Sequence, residues 1–191
     1  MNRIANFYKV ILFIFIAISC HKEENVLPEV TQEGKNTFGM YLNGHIWTPY
    51  VPSFIGGGQS PNAHYSQNKW LLVYAENFNQ NDEIYFYIPN VTEIGLYHIS
   101  FRYRFSQPDS NYYEYKDSTR YYRKLYVFSR DSLYLLTDSS KAIVNISRLD
   151  TNKKIVSGTF YMTLENYKKD IINITDGRFD IKYNDIVVQC D

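Results

Sequence analysis

Cysteine is scarce in this chain, which has only Cys20 and Cys190 among 191 residues. Two thiols cannot supply a disulfide framework or a structural zinc site of the multi-cysteine kind. An excess of charge is also lacking, because 20 Lys and Arg side chains balance 20 Asp and Glu side chains. The chain therefore lacks the basic character of a nucleic-acid-binding protein, and we predict no nucleic-acid partner.

Catalytic signatures are missing as well. The chain has no Gly-x-Ser-x-Gly motif, and its glycine run at 56–58 is not followed by the Lys-Ser/Thr of a phosphate-binding loop. Of the four histidines, His21 lies in the tether, and none of the other three has a His or carboxylate partner at a metal-binding spacing. Glu76, Asp82 and Glu83 could pair as glycosidase carboxylates only if the tertiary structure brought them together. We therefore predict no cofactor, no metal and no catalytic residue.

The longest apolar run at the N-terminus covers only residues 10–18. A membrane-spanning helix needs about 20 apolar residues, so this run is too short to cross a bilayer. Arg3 and Lys9 precede it, and no acidic residue lies in the first 19 positions. A positive start followed by a short apolar run is typical of a secretory signal peptide, which we assign to residues 1–19.

The end of this segment resembles a known processing site. Ala17-Ile18-Ser19-Cys20 resembles the lipobox of bacterial lipoproteins. The resemblance implies that Cys20 is lipidated and becomes the mature N-terminus, and two or more acyl chains such as palmitate anchor a protein firmly. Lys22, Glu23 and Glu24 resemble the export signal of Bacteroidota lipoproteins, which implies the outward face of the outer membrane. Residues 20–36 are expected to form a tether.

Aromatic side chains make up 17% of the chain, with 19 Tyr and 12 Phe, and this composition favours β-strands. Apolar and polar residues alternate over 97–105, as they do over 84–88, 160–164 and 179–183, which predicts strands with one buried face. The continuous apolar run at 70–74 predicts a central strand buried on both faces.

Two dipeptides, Asn43-Gly44 and Asp176-Gly177, separate strand-like segments and predict β-hairpins. No segment after the signal peptide has a sustained helical period. We therefore predict a single all-β domain at residues 37–191, with about nine or ten strands forming an antiparallel β-sandwich or an open barrel.

Several short segments resemble one family. The segment 37–49, with Asn43-Gly44 and Trp47, resembles the V-N-G-x-x-W-x-P opening of small uncharacterised Bacteroidota outer-membrane lipoproteins. Segments 95–97, 157–160 and 175–181 are similar to later landmarks of that family. The resemblance implies a β-rich surface lipoprotein and no catalytic residue.

A dense group of tyrosines offers a candidate ligand-binding surface. Tyrosine rings can stack on sugars or pack in protein interfaces. They can equally form cross-strand pairs on the surface of a half-exposed sheet, with no ligand. The candidates are Tyr112, Tyr113, Tyr115, Tyr121, Tyr122 and Tyr126. We predict a surface-anchored lipoprotein with a non-catalytic binding or accessory role toward a glycan or an envelope protein. A structural subunit of an envelope assembly and a hydrolase with an unrecognised site are the alternatives.

Overall fold

A computed structural model describes residues 26–52, 60–99, 125–137 and 140–186, and this part of the chain contains twelve strands and no helix. The strands are β1 (Thr37–Leu42), β2 (His45–Trp47), β3 (Asn62–Ser66), β4 (Leu71–Asn77), β5 (Asp82–Ile88), β6 (Gly95–His98), β7 (Leu125–Ser129), β8 (Ser132–Leu135), β9 (Lys141–Asp150), β10 (Ile155–Glu165), β11 (Ile171–Lys182) and β12 (Asn184–Ile186). Within these residues, no helix could span a membrane.

The strands form one curled sheet. Ten of them follow the order β12-β3-β4-β5-β7-β8-β10-β11-β1-β2, while β9 pairs with β10 and β6 pairs with β9. The pairs are antiparallel except β12–β3, which is parallel, so the sheet is mixed. The sheet curls into an open half-barrel, which confirms the all-β class and the open-barrel alternative.

The concave side of the sheet forms the hydrophobic core. Ile84, Phe86 and Ile88 of β5 are buried, and the residues between them are only half-buried, as the alternation predicts. The ring of Phe86 lies 5.4 Å from that of Phe160 on β10 and 6.0 Å from that of Phe179 on β11. Strand β5 therefore faces the adjacent strands β10 and β11 across the core.

The prediction that the run at 70–74 is buried on both faces is wrong. In β4, Leu71 and Val73 are fully buried against the core, whereas Leu72 and Tyr74 are half-buried on the outer side. Tyr85 of β5 lies directly opposite Tyr74 in the sheet. Cross-strand packing among large side chains covers part of this apolar surface without a second layer.

One of the two predicted hairpins is confirmed. Asn43 and Gly44 have φ values of 51° and 80° and connect β1 to β2. The Asp176-Gly177 hairpin is wrong, because β11 runs unbroken through both residues. Asp176 has a φ of 49°, and the register of β11 shifts against both β10 and β1 near this point. The dipeptide forms a β-bulge, which uses the same positive-φ chemistry as a tight turn.

The predicted strand at 97–105 is described only at its start. Strand β6 ends at His98, and the next residue, Ile99, is buried in the core. The remainder of that prediction lies outside the described residues.

Residues 26–36, the described part of the expected tether, lie against the outer side of the sheet, and we call this segment the strap. Its attachment point is Asp180 of β11, which is only 1% exposed. Four strap groups donate hydrogen bonds to the Asp180 carboxylate, and Ser157 Oγ adds a fifth at 2.7 Å. The strap donors are Thr31 Oγ1 (2.6 Å) and the backbone N–H groups of Glu33 (2.9 Å), Gly34 (2.8 Å) and Lys35 (3.2 Å).

These hydrogen bonds determine the charge state of Asp180. Burial disfavours the charged carboxylate and raises its pKa, but the bonds from Ser157, Thr31, Glu33 and Gly34 outweigh burial and lower the pKa to about 2. Alternation in β11 correctly places Asp180 on the outer side, but it does not foresee that the strap covers this side chain.

Candidate functional site

The outer side of β4, β5 and β7 carries a group of aromatic side chains that we call the aromatic face. Tyr74 lies opposite Tyr85, and Tyr85 lies opposite Tyr126 in the next strand. The rings of Tyr85 and Tyr126 are stacked, with centroids 5.2 Å apart and an interplanar angle of 12°. Trp70 and Tyr87 extend the face, with ring centroids 5.7 Å apart.

The aromatic face contains one tyrosine of the sequence-based candidate group, Tyr126. The other five candidates, the lipidation residue and the export-signal residues lie outside the described residues: Tyr112, Tyr113, Tyr115, Tyr121, Tyr122, Cys20, Lys22, Glu23 and Glu24. Sequence analysis missed Tyr74, Tyr85 and Tyr87 as candidate site residues. The spacing of two residues between Tyr85 and Tyr87 was a signal that could have identified these two, whereas Tyr74 joins them only through the pairing of β4 with β5.

Two carboxylates lie beside this face. Glu76 of β4 and Glu83 of β5 are directly opposite in the hairpin register. The hydroxyl of Tyr74 donates to Glu76 Oε2 at 2.6 Å and lies 3.3 Å from Glu83 Oε2. Like charges in opposite positions of a sheet are destabilising, and within the described part of the chain no basic side chain forms an ion pair with either carboxylate. The two carboxylates therefore present acceptor oxygens that no basic side chain of the described residues neutralises.

The Tyr74 hydroxyl remains protonated and serves as a donor. Burial is the main cause of its raised pKa, and the hydrogen bonds and negative charges of Glu76 and Glu83 raise that pKa further. The hydroxyl thus orients the carboxylates and leaves their remaining lone pairs for other donors.

A depression of about 290 Å³ opens next to the carboxylate pair. Its walls combine two aromatic rings with acidic and amide groups: Glu76, Asn77, Phe78, Asn81, Asp82, Glu83 and Phe128. Phe78 is 54% exposed, which is high for so large an apolar side chain. An exposed ring beside carboxylates is typical of a ligand-binding surface.

Buried polar contacts hold the rim of the depression in place. Asp82 accepts hydrogen bonds from Trp47 Nε1 and from the backbone N–H of Arg130, both at 3.3 Å. Asn77 donates to the carbonyl of Thr48 at 2.8 Å. These bonds tie the β4–β5 hairpin to β2 and to the β7–β8 turn, so the site rests on ordered strands.

The described residues contain no group of three or more His, Cys, Asp or Glu side chains able to hold a metal ion. His45, His64 and His98 lie on β2, β3 and β6, which are not neighbours in the sheet.

Comparison with protein families identifies residues 57–181 as a domain of unknown function (DUF6252). The chain belongs to this family. The DUF6252 region includes β3 to β10 and nearly all of β11, so it contains the aromatic face, the carboxylate pair and Asp180. The strap, β1 and β2 precede the matched DUF6252 region. No curated protein and no solved structure matches the chain.

Proposed function

We propose that this chain is a lipid-anchored surface protein that binds carbohydrate at the depression beside its aromatic face. One observation carries this proposal. The Tyr74 hydroxyl is within hydrogen-bond distance of the carboxylates of both Glu76 and Glu83, beside a depression whose walls include Phe78 and Phe128. A protein ligand is the alternative, because interfaces use the same mixture of rings and carboxylates.

Sugar chemistry fits this arrangement. A sugar ring has a face of C–H groups that packs on an aromatic ring and a rim of hydroxyls that donate hydrogen bonds. The two carboxylates offer several acceptor positions at one edge of the depression, and charged acceptors form stronger hydrogen bonds than neutral ones. Phe78 supplies an accessible ring at the other edge.

The anchoring part of the proposal rests on the N-terminal motifs. Cleavage after residue 19 leaves a lipidated Cys20, and Lys22, Glu23 and Glu24 direct the protein to the outward face of the outer membrane. A polar domain that holds a sugar at its surface is useful where glycans are accessible, outside the cell.

The first prediction concerns ligand binding. Glu83→Gln should weaken binding of the preferred glycan about tenfold or more, because a charged acceptor is replaced by a neutral group in the depression. Phe78→Ser should weaken it as well, with little change in stability because Phe78 is an exposed turn residue. A glycan array identifies the ligand, and calorimetric titration compares the variants.

Glu93→Gln is the matched control, since this glutamate lies outside the depression and carries the same charge. Glycan binding that is equal in the three variants and the unmodified protein would place the binding surface elsewhere. Capture of an envelope protein instead of a glycan would favour the accessory-subunit alternative.

A hydrolase is the second candidate, and the opposed carboxylates favour it. Side chains directly opposite in a sheet have Cβ atoms about 4.5–5.5 Å apart. Both carboxylates also reach the Tyr74 hydroxyl, at 2.6 and 3.3 Å, so the carboxyl groups themselves lie close together. Retaining glycosidases place their two carboxyl groups about 5–5.5 Å apart, so this pair could serve as acid and nucleophile. Incubation with array-positive glycans distinguishes the two functions: a binding protein releases no reducing sugar, and a hydrolase releases sugar that Glu76→Gln abolishes.

The second prediction concerns the anchor. Cys20→Ala should abolish incorporation of labelled palmitate and leave the protein unprocessed or released, whereas Cys190→Ala should incorporate the label normally. Replacing Lys22, Glu23 and Glu24 with alanine together should preserve lipidation but shield the domain from external protease. Palmitate incorporation into the Cys20→Ala protein would contradict the proposed anchor, and unchanged protease access would contradict the export signal.

A further inference from the structure

We infer that one side of the sheet lies against the lipid surface to which the chain is anchored. This is the outer side of β1, β11, β10, β9 and β6. The inference rests on the proposed lipidation of Cys20. Two independent features lie on this side of the sheet. One is the beginning of the strap, and the other is a group of exposed apolar side chains.

The strap begins on this side. Pro28 packs on Gly39 of β1, in the space where another residue would have its side chain. A Cβ atom added to Gly39 would lie 2.6 Å from Pro28 Cδ. Arg178, which is paired with Gly39 across the sheet, donates a hydrogen bond from its guanidinium group to the Pro28 carbonyl at 3.3 Å. The chain therefore reaches the domain over the outer side of β1 and β11.

The exposed apolar group lies on the same side. The row of paired residues that begins at Gly39 and Arg178 continues through Thr159 and Asn145 to Leu96. Leu96 is 68% exposed, although it is a large apolar side chain at the centre of β6. Directly paired residues point to the same side of a sheet, so Leu96 shares the side that carries the start of the strap.

Leu96 is accompanied by other apolar side chains. Ile143 lies two residues from Asn145 on β9, and it is paired with Tyr161 of β10, which is 45% exposed. We call Leu96, Ile143 and Tyr161 the apolar patch. Lys141 extends the same side of β9, and its positive charge suits anionic lipid headgroups.

The tether is short enough to hold this patch close to the membrane. Only residues 21–25 separate Cys20 from Val26, the first described residue. An extended chain covers at most about 3.6 Å per residue, so the lipidated residue lies within about 22 Å of Val26. Four strand spacings separate Gly39 from Leu96, which is about 19 Å across the sheet. A lipid surface held this close to the strap can also reach the apolar patch.

The test uses the full lipidated protein in phosphatidylethanolamine–phosphatidylglycerol vesicles. An environment-sensitive fluorophore is attached to Leu96→Cys in a Cys190→Ser background. Phe78→Cys, labelled in the same way, is the matched control because Phe78 is a similarly exposed apolar residue in the β4–β5 turn, outside these five strands. A nitroxide-labelled lipid should quench the label at position 96 about threefold more than the label at position 78, as expected for a group at headgroup depth.

Flotation of the protein with the vesicles separates the two hypotheses. Protein that floats and shows equal quenching at both positions retains its anchor but overturns the membrane-contact inference. Protein that does not float overturns both the anchor and the inference. A label at position 96 that is shielded from the lipid quencher and from aqueous iodide is covered by protein, either a second copy or another partner, and this result also overturns membrane contact.

Discussion

Replacing Asp180 with alanine is expected to lower the free energy of unfolding by about 4 kcal/mol, because several hydrogen bonds to a buried charge are lost together. The backbone N–H of Gly34 and the hydroxyl of Ser157 would lose their buried acceptor. The strap would then lose its main attachment, so limited proteolysis should cut within residues 31–36. Asp176→Asn, which removes an exposed negative charge from the same strand and keeps a residue type that tolerates the positive φ of this position, should change stability by less than about 0.5 kcal/mol.

The same carboxylate predicts a pH dependence. The pKa of Asp180 falls from its ordinary value of 3.8 to about 2 in the folded protein. A lowered folded-state pKa stabilises the protein above the unfolded-state pKa, and the stabilisation is lost as the pH falls from near 4 through 2. The loss should amount to roughly 2 kcal/mol. Denaturant unfolding between pH 6 and pH 2 should show this loss in the unmodified protein and a much weaker dependence in Asp180→Asn.

Phe179→Ala is expected to destabilise the domain by about 3–5 kcal/mol, as large-to-small changes in a core do. The Phe179 ring packs against both Phe86 and Phe160, with centroid distances of 6.0 and 6.3 Å. It also packs over Gly158, where an added Cβ would lie 2.7 Å from the ring, so its removal leaves a cavity that strands on both sides of the core cannot easily close.

Tyr167→Ala is the control for this core variant, because Tyr167 is an exposed aromatic residue in the turn after β10. Its cost should stay within about 0.5 kcal/mol. Denaturant unfolding measured by tyrosine fluorescence compares the two variants. Similar losses of stability would mean that Phe179 does not belong to the core that joins the two halves of the sheet.

The sequence predicts strands well where one face packs on the core. Ile84, Phe86 and Ile88 show this clearly, because burial on one side only leaves a period of two in the sequence. It fails at Asp176-Gly177, since a bulge and a hairpin turn require the same backbone conformation and differ only in what the neighbouring strands do. The strap has no periodic pattern, so its docking on Asp180 leaves no trace in the sequence.

The candidate site was less predictable than the fold. The dense run of tyrosines predicts Tyr126 as a site residue. It does not predict the stacking partner Tyr85, which is more than 40 positions away along the chain. Glu76 and Glu83 meet because the β4–β5 hairpin sets a register that places them opposite each other. Register depends on the turn and on packing of the buried face, and neither can be read from isolated charged residues.

The five hydrogen bonds that converge on Asp180 also have a mechanical consequence. In an anchored protein that holds a ligand, a pull on the ligand is transmitted through the core to the strap and from there to the lipid. The bonds to a single carboxylate share this load, so they resist a pull as a group and must break nearly together. The joint at Asp180 would therefore keep the strap on the domain under shear, and the pulling force at which the strap detaches should fall sharply in acid, when Asp180 becomes protonated.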